Sequence, residues 1–385
     1  MKHMKKAVLL AAVCCMIFSG CGKKENTEAV DNAVETEAVV AEEPVETEEA
    51  AVAETETETE VVSTESVKTA AGINMLTGEP MDEALASQRP VAVMISNTSD
   101  AMPQYGTSGA DVIVESPVEG SLTRIMAVYQ DYANLPLIMS SRSARHYFVY
   151  LSNEFESIFV HYGQSIYTTE MLNKFDDLNG LDGDLANVTF FRDSSRKAPH
   201  NAYINGESIV AGIEKREFRT EHGSSYPGVF LFSGDEVTLD NGADAKVVEP
   251  GYLVNKPWFV YNEETGLYER YQYKAAHVDT NTGEQLAFKN IIFRVCDYSM
   301  FPDDKYLDIK TASYGGAGKY ITNGKAVDIS WVKEVEDGVV TYYDADGNEL
   351  EINKGKTFVC IILNDATEKM GIYASEADFE AARNN

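Results

Sequence analysis

The sequence has 385 residues and a formal net charge of −30. Residues 22–72 hold 15 acidic side chains against three lysines, and residues 73–385 still carry a net charge of −21. A body of that sign excludes nucleic acid or an anionic membrane surface as the main partner, because both need a basic footprint.

At the N-terminus, Lys5 and Lys6 precede an uncharged, largely apolar run from Ala7 to Phe18 that is too short to span a bilayer. It ends in Phe18-Ser19-Gly20-Cys21, which resembles a bacterial lipobox. In that pattern the cysteine becomes the first residue and is acylated, palmitate being one such acyl group. Residues 1–20 are therefore expected to be a signal peptide and Cys21 the lipidation site, with Cys14 and Cys15 removed. From 22 to 72, glutamate alternates with Thr, Ala and Val and no aromatic residue occurs. Such a segment buries too little to offset its ordering entropy, so residues 21–72 are expected to be a lipidated, disordered acidic tether.

Residues 73–227 have the texture of a mixed α/β domain. Val91-Ala92-Val93-Met94-Ile95 is a continuous apolar run, and Asp111 to Glu115, Leu122 to Tyr129 and Ser157 to His161 are further strands. In Leu137 to Val149 a short apolar run meets a helical pattern at Ser140-Ser141-Arg142-Ser143-Ala144-Arg145, so a strand is expected to open into a helix capped by serine. The spacing predicts helices over 166–175 and 207–218. Residues 228–385 change to turn-punctuated strands, with hairpin signals at Asn241-Gly242, Asn323-Gly324, Asp337-Gly338 and Asp346-Gly347. The fold class is α+β, an α/β domain followed by a mainly β one. Tyr314-Gly315-Gly316-Ala317-Gly318-Lys319 lacks the Ser or Thr of a phosphate loop and is expected to be a flexible β connection. Cys296 and Cys360 lie in apolar strands, where a thiol is core packing rather than half of a disulfide.

Two basic segments reverse the local sign. Arg142, Ser143 and Arg145 sit at the strand-to-helix joint, and Arg192-Asp193-Ser194-Ser195-Arg196-Lys197-Ala198-Pro199-His200-Asn201 packs cations, hydroxyls, an imidazole and an amide into ten residues. With Arg124, residues 124–196 contain five of the chain's 11 arginines. Guanidinium forks fit phosphate or carboxylate bidentately, so convergence of these segments makes an oxyanion pocket. The alternative is a salt-bridge network with Asp111, Glu115, Glu119 and Asp193. His161 and His200 are the candidate proton carriers if there is catalysis, but no nucleophile elbow or metal-ligand spacing accompanies them. The Asp176–Asp184 stretch lacks the positions of a calcium loop and is read as a turn.

From about Asn74 onward the chain resembles the YerB-like lipoprotein family of Gram-positive bacteria. The resemblance rests on Leu76-Thr77-Gly78, Arg89-Pro90-Val91-Ala92-Val93-Met94-Ile95, Glu119-Gly120 through Arg124, Arg142-Ser143-Ala144-Arg145, Arg192 through Asn201, and Asn323-Gly324-Lys325 with Trp331. The sequence departs from that pattern at Met102, where arginine is expected, and at Ser121, where glycine is expected. The resemblance implies a lipid-anchored protein at the outer face of the cell membrane, with no agreed activity, cofactor or metal. The expected partner is an anionic, phosphate- or carboxylate-bearing envelope ligand such as a wall polymer or its precursor. A basic joint on an exported α/β domain is also similar to the LytR-CpsA-Psr ligases, which makes phosphoryl transfer or hydrolysis the runner-up.

Overall fold

The computed structural model describes residues 65–384; the expected signal, lipidation site and most of the tether lie outside them. The last residues assigned to the tether pack on the body. Val67 exchanges backbone hydrogen bonds with Phe232, and Lys68 pairs with Glu349.

The first region supplies β1 (Val91–Ser96), β2 (Val112–Pro117), β3 (Thr123–Tyr129), the short β4 (Ile138–Met139), β5 (Ile158–His161) and β6 (Asp177–Asn179). β1 and β3 are buried along their whole length, as the apolar runs Val91–Ile95 and Ile125–Tyr129 within them require. The large sheet runs β6-β5-β1-β3-β2, and then crosses to Thr357–Leu363, Asn290–Cys296, Tyr314–Thr322 and Lys325–Lys333 from the second region. The crossing is parallel, with Val112 opposite Thr357 and Glu115 opposite Cys360. One sheet thus serves both regions, mixed at the first end and mainly antiparallel at the second. A smaller antiparallel sheet built on Val247–Glu249, Trp258–Asn262, Leu267–Gln272 and Gly371–Tyr373 completes the β-rich part.

Helices are few. Gly206–Arg216 forms where the spacing places it, closed by a reciprocal Asn205–Ser208 capping box. The helix expected over 166–175 shrinks to Thr169–Leu172, because Tyr167 leaves the helical path to stack its ring on Phe301 at 3.7 Å. Tyr314 to Lys319 is a strand rather than a flexible connection. Its glycines serve close approach: a Cβ on Gly316 would meet Val295 O at 2.6 Å and the indole nitrogen of the buried Trp331 at 2.9 Å. The Asn323-Gly324 turn has φ of 49° and 72°, the left-handed pair a two-residue hairpin needs. Cys296 and Cys360 are buried free thiols, in keeping with core packing.

Two fully buried carboxylates tie the regions together. Glu154 binds Arg294 at 3.0 Å and Lys333 at 3.4 Å. Glu115, within β2, accepts from Arg270 at 2.7 Å, Asn97 at 2.9 Å, Thr123 at 2.6 Å and Asn255 at 2.7 Å. Arg270 also donates to His277 Nδ1, so the other ring nitrogen carries the hydrogen and donates to Gln104 Oε1 at 2.5 Å. Gln104 in turn donates to the Ser96 carbonyl at 2.7 Å, at the end of β1.

Replacing Arg270 by Met leaves Glu115 buried and unpaired, and should cost about 3–5 kcal/mol of unfolding free energy in denaturant titrations. The Glu115→Gln, Arg270→Met double variant should recover part of that loss, and a single variant of wild-type stability would contradict the assignment. His277 supplies a pH test. Burial, then the charge of Arg270, hold its pKa well below the ordinary value, so the folded chain stays neutral there while the unfolded chain takes up a proton below about pH 6.5. Stability is therefore full above that pH and falls as pH drops below it, by up to about 1.4 kcal/mol per pH unit from this group. His146, His200 and His222 are shifted in the same direction. Melting curves from pH 7.5 to 5 should accordingly decline less steeply for His277→Gln than for wild type, and parallel declines would remove His277 from the account.

Candidate functional site

β1 and β3 end together: Ser96 lies opposite Arg124 in the ladder. The segment after β4 is laid against this edge by backbone bonds. Ser96 N donates to Ser140 O, Arg142 N to Met94 O, Tyr162 N to Arg142 O and Ala144 N to Gly163 O, at 2.8–3.0 Å. The joint is thus held between the ends of β1 and β5 before any side chain acts. It then enters the helix His146–Asn153. The N-cap is Arg145, with no side-chain cap bond, rather than one of the serines expected there.

The 191–201 loop joins β7 (Phe191–Arg192) to β8 (Ala202–Ile204), and β8 pairs with β4. Ser140 Oγ donates to His200 O at 2.5 Å, and Ser141 N to Ala202 O at 3.0 Å. The two basic segments therefore meet at the edge formed by Ser96 and Arg124.

Of the five arginines, one pairs with a carboxylate. Arg145 grips Glu119 through Nε and Nη2, with its shortest contact at 2.6 Å, and its guanidinium stands 5.2 Å from the Tyr306 ring. The salt-bridge alternative holds for this pair alone. Asp111 instead accepts from Asn74 and the Gln130 amide, Glu115 binds Arg270, and Asp193 folds back on Ser195. Arg124 is 7% exposed and donates to the Ser143 carbonyl at 2.5 Å. The Arg142 guanidinium has no hydrogen-bonded acceptor among the described residues, and its Nε is enclosed. The hydroxyl of Ser141, the preceding residue, is also enclosed without a partner among the described residues.

These groups feel one another. Burial, then the charges of Arg145 and Arg142, push Arg124 down to about 9. Burial and Arg145 lower Arg142 as well. Burial alone would raise Glu119, but the Arg145 contact prevails and its carboxyl lies below the usual range. His200, half-buried with Nδ1 3.4 Å from Ser96 Oγ, is lowered by burial and by Arg142. Asp100 acts on it in the opposite sense, and the inner cluster of Arg124, Arg142 and Arg145 holds one paired carboxylate, Glu119.

The outer residues are less committed. Arg196 reaches back to Ala101 O at 3.1 Å and Pro103 O at 2.8 Å and lies over Tyr105, while Arg192 binds Asn201 at 2.7 Å and lies over Tyr162 at 4.4 Å. Ser194, Ser195 and Lys197 are exposed, and Ser195 is tied to Asp193 in a local turn. His161 stands apart: it is fully buried, with Nδ1 against Gly163 O at 2.8 Å and Nε2 against Asp177 at 3.1 Å, so both ring nitrogens already face acceptors. The tyrosines beneath the arginines and the bidentate use of Glu119 had no signal in the spacing, since each partner is remote in sequence. Ser121, where the family pattern has glycine, adopts φ of 60°, the left-handed conformation that favours glycine. No helix among the described residues is long and apolar enough to cross a membrane.

Comparison with known proteins agrees with this architecture. Residues 76–219 match the N-terminal domain, and 248–359 the C-terminal domain, of the family described as protein of unknown function DUF3048. The candidate lipoprotein YerB of Bacillus subtilis (strain 168) is 32% identical over 292 residues, covering 74% of this chain and 85% of the relative. The crystal structure of Bacillus subtilis YerB superposes with a TM-score of 0.69 at 29% identity, over 79% of this chain and 99% of that one. With both domains matched in order and the relative covered over most of its length, the chain belongs to the YerB-like DUF3048 family, whose function is not known.

Proposed function

We propose that the protein is a cell-surface lipoprotein that binds an anionic ligand of the cell envelope, a phosphate- or carboxylate-bearing wall polymer or precursor, at the edge formed by Arg124, Arg142 and Arg145. The observation that carries the reading is the charge imbalance there. Three guanidinium groups share one carboxylate in a chain that is otherwise strongly acidic. Partly buried cations without counter-ions are costly, and an entering oxyanion supplies the acceptors they lack. Arg192, Ser194, Ser195, Arg196, Lys197, His200 and Asn201 form the outer rim, and Ser143 the inner wall. The relative's name as a lipoprotein and the Cys21 motif support lipid anchoring on the outer face of the membrane. The catalytic alternative gains nothing from His161, whose nitrogens are both engaged.

Binding of labelled wall-polymer fragments to the mature chain should weaken at least about tenfold, or about 1.4 kcal/mol, in the Arg142→Ala, Arg145→Ala double variant. It should weaken in Arg142→Ala alone, which removes no protein partner, and equal binding by all three proteins would sink the anion site. For the anchor, Cys21→Ala should leave the protein unprocessed or release it to the medium, and undiminished lipid labelling would contradict lipidation at that residue.

A further inference from the structure

The inner cluster carries information about the charge of its ligand. Arg145 spends Nε and Nη2 on both oxygens of Glu119, so that carboxylate is fully used. What remains is Arg124, buried and bonded to a carbonyl that cannot neutralise it, and the Arg142 guanidinium, with no acceptor among the described residues. Three positive charges against one negative charge leave an excess of two. A singly charged ligand would leave one guanidinium uncompensated in a poorly solvated place, whereas a doubly charged one closes the count.

The donors agree with the charge. Arg142 offers its fork, Arg124 the nitrogens not used on Ser143, and the enclosed Ser141 hydroxyl lacks a partner in the same joint. A phosphate monoester presents three terminal oxygens to such a set, while a diester or a carboxylate presents two. The surroundings favour an end group over a polymer backbone. A chain of repeating phosphodiesters would lay its charges along a body of net −21, whereas a terminal monoester brings one group to one basic edge.

Resting on the anion-site reading above, we propose that the ligand's recognised group is a terminal phosphate monoester in its dianionic form, held between Arg124 and Arg142 with Ser141. The group is the end phosphate of a sugar- or lipid-linked precursor, or of a trimmed polymer, and the inner guanidinium groups select it by charge and oxygen count.

The test titrates the full mature chain at pH 8, where a monoester is doubly charged because its second pKa is near 6. Methyl phosphate, dimethyl phosphate and acetate are compared by calorimetry. Methyl phosphate should bind at least about tenfold more tightly than the other two, and Arg142→Gln should erase that preference. Ser141→Ala should weaken methyl phosphate several-fold while its melting temperature stays level or rises, since the lost hydroxyl has no protein partner. That pairing of weaker binding with undiminished stability separates a ligand contact from a structural role. Dimethyl phosphate or acetate binding within about threefold of methyl phosphate would overturn the monoester inference and leave the anion site standing. A preference unaffected by Arg142→Gln would also overturn it. Failure of the folded chain to bind any of the three would remove the anion-site reading itself.

Discussion

A carboxylate with no exposure to water, Glu115, constrains more of this structure than any other group. It sits inside β2, where a buried carboxylate must be surrounded by donors or the chain does not close. The donors come from four places: Asn97 after β1, Thr123 at the head of β3, Asn255 between the first two strands of the smaller sheet, and Arg270 within that sheet. Satisfying one side chain therefore fixes how the first region's strands end and how the second region docks on them. Tyr252 adds a second clasp, its hydroxyl shared between the carbonyls of Glu115 and Ile361 on the paired strands.

The Arg124 cluster inverts this arrangement. At Glu115 four protein donors meet one buried carboxylate, although Arg270 Nε and Asn255 Oδ1 stay enclosed without a partner. One strand-end away, positive charge is gathered with fewer acceptors than donors, Arg142 being half-buried and the outer loop exposed. The two places are linked through Arg270, His277, Gln104 and the Ser96 carbonyl, so the floor of the cluster is held by hydrogen bonds with one assigned direction. On the anion-site proposal, this floor would spare the cluster from rebuilding its geometry on binding.

Much of the local structure was legible in the sequence, because it depends on near neighbours. The buried strands β1 and β3, the helix Gly206–Arg216 and the Asn323-Gly324 turn each follow from a periodicity or a turn residue. The meeting of the two basic segments was suggested by composition but rests on pairings between β4, β8 and the end of β1 that no pattern encodes. The reading failed where a distant partner decides. Tyr167 turns away for Phe301, the glycines of Tyr314–Thr322 make room for Trp331, and the helix at 146 begins on Arg145 because Glu119 holds that residue from another loop.

The parallel pairing of β2 with Thr357–Leu363 also imposes an order in time. Val112 and Thr357 are 245 positions apart, so the central ladder cannot form until almost the whole chain is present. Contacts of that span close slowly, since the loop entropy is lost before the pairing compensates it. A growing chain would hold the first region as an incomplete sheet, with β2 lacking the neighbour that covers its outer edge. Late closure is thus built into the architecture, which postpones the native state until the last strands have arrived.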